Sequence, residues 1–137
     1  MTITPQQVDW LLYNLPTLRA MVDDMEPRVS TSIVELGVSG SKTGNPVEDM
    51  AIRRAEISVV LDAVERGIRA LDSEERTIYR MKYRANMNRE QIKLRVFLSK
   101  PTISRRLIRV RAMIAQHVAQ IEKQNLIRFW RQIRQHG

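Results

Sequence analysis

The residues best equipped for chemistry lie together in one stretch, Leu98 to Arg109, which reads LSKPTISRRLIR. A guanidinium there can donate two parallel bonds to a guanine edge or a phosphate, a hydroxyl can bond either, and a lysine attracts phosphate as a point charge. This is binding chemistry rather than bond-making chemistry. The chain has no cysteine, so disulfides, thiolate metal sites and cysteine nucleophiles are excluded. Its two histidines, His117 and His136, stand far in sequence from any carboxylate pair at metal-ligand spacing, and no metal or cofactor is expected. Tyr79 and Tyr83 beside arginines would suit a strand-transferring nucleophile, but no nearby histidine completes such a site, and no enzyme is expected. The stretch GVSGSKTG fails as a phosphate loop, because Lys42 falls where the second glycine is required after Gly37.

A helix beginning at Ser99 would position the basic residues. Serine is a good N-cap, and Pro101 in the first turn loses no internal bond because the amides there are unpaired in any case. On a wheel of about 100° per residue, Ile103, Leu107, Val110 and Ile114 form one buried seam within about 60°. Pro101, Arg105, Ile108 and Arg109 fall opposite, with Thr102 and Ser104 beside them and Arg106 between the two faces. Lys100, Pro101, Thr102, Ser104, Arg105 and Arg109 are therefore expected to reach into a DNA groove. Lys82, Arg84, Arg89, Lys93 and Arg106 are expected to meet phosphates.

The remaining elements are read from caps and periodicity. Thr4 and Pro5 open an amphipathic helix with Val8, Leu11, Leu12, Leu15, Leu18 and Met21 inward, and a kink or break is expected at Pro16. Residues 27–45 hold three glycines and four serines and read as a loop. Asn45 and Pro46 start a long helix running to about Ala70, with Val47, Met50, Ala51, Ile57, Val60, Leu61, Val64 and Ile68 as its apolar stripe. Asp72 with Glu75, and Asn88 with Gln91, make two further capping boxes, the second opening a short helix before Ser99. A break is expected near residues 122–125. Nothing reads as a strand, so the fold expected is all-α: N-terminal helices and a long central helix, then a helix-turn-helix with an extended C-terminal helix. The organisation expected is a helix and loop over 1–45, the long helix over 46–70, and a helix-turn-helix region with a basic final helix over 71–137.

The charge is split along the chain. Residues 1–70 hold 7 Lys/Arg against 10 Asp/Glu, and residues 71–137 hold 16 against 5, so the overall +8 belongs to the second half. One half is built to attract a polyanion and the other is not. Composition, with 43% hydrophobic residues and few glycines and prolines, excludes a disordered or fibrous chain. No apolar run nears the roughly 20 residues of a bilayer span, and the N-terminus lacks the order of a signal peptide, so a cytoplasmic, nucleoid-associated place in a bacterial host is expected.

The stretch LDSEERTIYRMKYRANMNREQIKLRVFLSKPTISRRLIRVRAMI resembles region 4 of sigma-70-type factors, where an acid-rich helix, a turn and an S-x-x-T-V/I-S-R-R-L order recur. Together with GSKTGNPVEDMAIRRAEISVVLDAVERGIRAL before it, the whole is similar to the RinA/ArpU group of phage-encoded transcriptional regulators, the likeness covering residues 40 to 118. It implies a regulator of late or packaging genes that binds double-stranded DNA. Glu90 and Ile92 match the start of the bracing helix, Ser99 the cap, and Lys100, Thr102, Ser104, Arg105 and Arg106 the reading helix. Two positions depart from the pattern: Lys93 replaces a small residue, and Phe97 replaces a glycine in the turn, which predicts another turn geometry or another helix crossing. Bacterial RNA polymerase is a candidate partner, and an oligomer, a dimer above all, is expected because one short reading helix gives little affinity alone. The rival reading is a DNA-packaging subunit, akin to a small terminase, or an adaptor that uses the same two helices to hold DNA. In the tail, Leu126, Ile127, Phe129, Trp130 and Ile133 offer an apolar side and Arg128, Arg131 and Arg134 a basic row.

Overall fold

A computed structural model describes residues 3–25 and 46–136. These form six helices: α1 (Pro5–Asp24), α2 (Pro46–Arg69), α3 (Ser73–Tyr79), α4 (Arg89–Val96), α5 (Lys100–Val118) and α6 (Lys123–His136). A π-helical turn, Arg80–Arg84, prolongs α3. No strand occurs among the described residues, so the expected all-α class is what the chain adopts. The loop expected over 27–45, with Gly37 and Lys42, lies outside them.

The caps are the ones the sequence offers. Thr4 with Gln7, Asp72 with Glu75 and Asn88 with Gln91 each exchange reciprocal side-chain bonds with backbone amides at a helix start, and Ser99 accepts from the amide of Thr102. Each removes an unpaired donor, an effect of about 1 kcal/mol.

The long helix α2 is the axis of the bundle, and α1, α5 and α6 pack on it. Its stripe is buried from Ile57 onward through Val60, Leu61, Ala63 and Val64. Met50 and Ile52, near its start, are exposed, so the expected stripe from Val47 to Ala51 is not part of the core. Gly67 is where α2 comes closest to α5: a Cβ there would stand 2.9 Å from Ile114 Cδ1 and 3.1 Å from its Cα. Ile114 is fully buried and has no room to retreat.

The sequence offers two places for a helix break, and the chain breaks at one of them. Pro16 does not break α1, which runs unbroken through it. A proline in a helix deprives the carbonyl four residues earlier of its donor. That carbonyl belongs to Leu12, and Arg84 Nη2 donates to it at 2.6 Å from the turn after α3. The last helix is interrupted where a break is expected: α5 ends at Val118 and α6 starts at Lys123, so the break covers residues 119–122 and meets the expected stretch at Glu122. Leu126 and Phe129 of α6 are buried, Trp130 meets Trp10 of α1 with ring centroids 5.7 Å apart, and Gln132 donates to Glu56 of α2.

Candidate nucleic-acid interface

Helices α4 and α5 are joined by the short turn Phe97–Leu98–Ser99. The turn works because Phe97 takes the left-handed conformation, φ 59° and ψ 34°, with its amide donating to the Lys93 carbonyl. A glycine would sit there without strain, whereas a phenylalanine costs about 1 to 2 kcal/mol. The expectation of a different turn is thereby corrected: the turn keeps its geometry and the residue bears the strain. Phe97 is 89% exposed and Leu94 73%, so neither gains burial from it. Lys93 is likewise exposed, and Ile92 is the side chain that α4 buries, so the lysine does not obstruct the packing of α4 on α5.

The wheel of α5 is realised. Ile103, Leu107, Val110 and Ile114 are buried, Pro101, Arg105, Ile108 and Arg109 are exposed, and Thr102, Ser104 and Arg106 are half-buried between them. At the tip, Arg105 Nη2 lies 3.2 Å from Thr102 Oγ1, which also shares a bond with the Ser99 hydroxyl, and Lys100 pairs with Glu90 of α4. Of the expected groove residues, the structure puts Pro101, Arg105 and Arg109 on the open face and sends Thr102 and Ser104 to its two sides.

Those sides differ. On the flank toward α3, Arg106 pairs with Glu74 at 2.6 Å and Arg109 with Glu75 at 3.3 Å. Glu75 is 4% exposed and also holds the amide of Asp72, so it fixes the start of α3 against α5. On the flank toward α4, Arg89 Nη1 donates to Ser104 Oγ at 3.0 Å, and Lys82 Nζ lies 5.6 Å from the centre of the Tyr83 ring and 5.8 Å from that of Tyr13. Among the described residues neither Lys82 nor Arg89 pairs with a carboxylate.

The five expected phosphate residues therefore do not form one surface. Among the described residues Lys82, Arg89 and Lys93 carry cations without an acidic partner. Arg106 is held by Glu74. Arg84 is turned inward, a correction to its expected role: besides the Leu12 carbonyl, its Nη2 donates to the Tyr79 hydroxyl at 2.8 Å, and its guanidinium lies over the Tyr79 ring at 5.4 Å.

Sequence reasoning missed Arg111 and Asp9, and weighed Tyr83 only as a nucleophile. Asp9 of α1 accepts from Arg111 Nε at 2.9 Å and from the Tyr83 hydroxyl at 2.5 Å, which ties α1, α5 and the π-turn together. Burial, and then the bond to Asp9, push the Tyr83 phenol well above its ordinary value, so it stays a neutral donor. Burial is the largest influence on Arg111 and works against its charge, but Asp9 and Tyr83 acting together outweigh it and the guanidinium is held charged. A signal for Arg111 existed: it lies seven residues beyond Ser104, two helical turns along the same flank. Nothing in the sequence pointed to Asp9, which is 102 residues away from Arg111.

No helix among the described residues is long and apolar enough to cross a membrane, and no group of three or more His, Asp or Glu stands together there as a metal site would require. Comparison with known proteins gives no family model, no characterised relative and no solved structure that matches the chain.

Proposed function

We propose that the protein is a sequence-specific double-stranded DNA-binding transcriptional regulator of the phage type, acting on late or packaging genes, with α5 as the helix that enters the major groove. The observation that carries this reading is the open face of α5. Pro101, Arg105 and Arg109 stand exposed along its first three turns, on a helix whose opposite face is wholly buried and whose start is fixed by a cap and a short turn. A rigid helix with a polar, cationic N-terminal end is what a major groove accepts.

The roles divide by magnitude. Phosphate contacts supply sequence-blind affinity that falls steeply with salt, whereas one bidentate arginine on guanine supplies about 1 to 3 kcal/mol of discrimination. Arg105 takes the second role, with Lys100, Thr102 and Arg109 beside it. Glu90 and Glu75 hold Lys100 and Arg109 in the free protein, so those cations must exchange partners to reach DNA. A second copy of the chain binding a neighbouring half-site would raise the affinity of one short helix, and bacterial RNA polymerase is the partner through which an activator would work.

Selection of bound fragments from phage and host DNA, with wild type and Arg105→Ala compared over a salt series, tests the reading. A preferred site near a promoter, with the preference weakened roughly 5- to 150-fold in Arg105→Ala, supports it. A site confined to a packaging signal moves the protein to the packaging class, and the absence of any preferred site refutes a regulator.

A further inference from the structure

A cleft of about 400 Å³ opens beside α5 on the flank toward α4, lined by Lys82, Arg89, Ser104, Leu107, Ile108 and Arg111. Three of the six are cations and none is an acid. Arg89 donates to Ser104, so the serine's own hydrogen is left to give to an anion. Arg111 uses Nε on Asp9 and lies beside the Tyr83 hydroxyl, and its side chain lines the cleft. The apolar walls, Leu107 and Ile108, strengthen attraction to an anion by excluding part of the water.

We propose that this cleft is the seat of a backbone phosphate of duplex DNA, with Arg111 joining Lys82 and Arg89 as phosphate-binding residues and Asp9 acting as the positioning residue for Arg111. The inference rests on the DNA-binding reading and adds a direction to it: one DNA strand crosses α5 on its α4 flank. The opposite flank is closed to phosphate by its own chemistry. Arg106 and Arg109 are there matched by Glu74 and Glu75, and an approaching phosphate meets two carboxylates along with two guanidiniums. On the cleft side Asp9 is already engaged by both Arg111 and Tyr83, and Glu90 of α4 is held by Lys100. A guanidinium held in place before the ligand arrives loses less freedom on binding than a loose surface arginine.

Phosphate contacts are blind to sequence, so a random-sequence duplex suffices as the probe. Its affinity is measured by fluorescence anisotropy over a salt series for wild type, Lys82→Ala, Arg89→Ala, Arg111→Met and Arg106→Ala, with Tm recorded for each. Each cleft variant is expected to make the dependence of log K on log salt shallower by about 1, and Arg106→Ala to leave it unchanged. Should Arg111→Met lower Tm, Lys82→Ala and Arg89→Ala decide, since neither removes an ion pair. In parallel, inorganic pyrophosphate titrated into wild type is expected to shift the Nε–Hε NMR signals of Arg89 and Arg111. If duplex binds but the cleft variants keep the wild-type slope, or the loss falls on Arg106, the phosphate seat is refuted and DNA binding stands. If wild type binds no duplex at low salt, the DNA-binding reading falls and the strand assignment with it; the pyrophosphate titration then decides whether the cleft is an anion site at all.

Discussion

The two flanks of α5 carry nearly equal numbers of basic residues and opposite electrostatic characters. Toward α3, Arg106 and Arg109 each face a glutamate of that helix's first turn. Toward α4, Lys100 pairs with Glu90 and Arg111 shares Asp9 with a tyrosine, while Lys82 and Arg89 pair with no acid among the described residues. The difference teaches that a count of arginines does not locate a binding surface. What matters is which of them the fold has already matched.

Several substitutions would break or sharpen this contrast. The largest effect is expected from Glu75→Ala, which removes a buried cap partner and the anchor of Arg109 at once. A loss of about 1 to 3 kcal/mol in chemical denaturation is expected, and an unchanged midpoint would show that the matched flank contributes nothing to the fold. Arg84→Ala should weaken the protein by a similar or smaller amount, about 1 to 2 kcal/mol, by leaving the Leu12 carbonyl without its donor, while the salt dependence of DNA binding stays at the wild-type value. A shallower salt dependence in that variant would return Arg84 to the phosphate-binding set.

At the entry to α5, Phe97→Gly should stabilise the protein by about 1 kcal/mol, since the left-handed backbone is kept and the strain is lost. No gain in Tm would mean that the phenyl ring makes a compensating contact. The Asp9 junction gives a pH test. The phenol pKa of Tyr83 is raised on folding, so folding favours the neutral form; that contribution is complete below the unfolded value of 10.0 and is lost as pH rises toward the folded one. Alkaline destabilisation above pH 10 should therefore be smaller in Tyr83→Phe than in wild type, and equal slopes would deny the junction any part in it. The smallest change in stability, about 0 to 1 kcal/mol, is expected for Glu74→Gln. It would free Arg106 and steepen the salt dependence of DNA binding by about 1, and no steepening would show that the α3 flank is closed for some reason other than its carboxylates.

Much of the fold was legible because its signals are local. A cap, its box partner three residues on, and an apolar step of three or four depend on residues within one helical turn, and Thr4, Asp72, Asn88 and Ser99 all cap as their types require. The face of α5 was legible for the same reason. The π-turn was not: Tyr83 and Arg84 within it bond to Asp9 and Leu12 of α1, more than 70 residues away along the chain. That α1 continues through Pro16 was not legible, because the residue that satisfies the carbonyl it frees is 72 positions distant. Phe97 was misread in the other direction: a local rule forbade a conformation that the packing of α4 on α5 imposes.

By itself, then, the sequence determined the class of the fold, the start of each capped helix, the concentration of positive charge in the second half and which side of α5 faces outward. All of these follow from neighbours along one helix. Only the tertiary structure decided which cations remain available. Ion pairing is set by where helices cross, and Arg84, Arg106 and Arg109 are engaged by residues of other helices, while Lys82 and Arg89 are left without an acid among the described residues. The same crossing made Asp9, an unremarked residue of the first helix, the support of an arginine on the fifth.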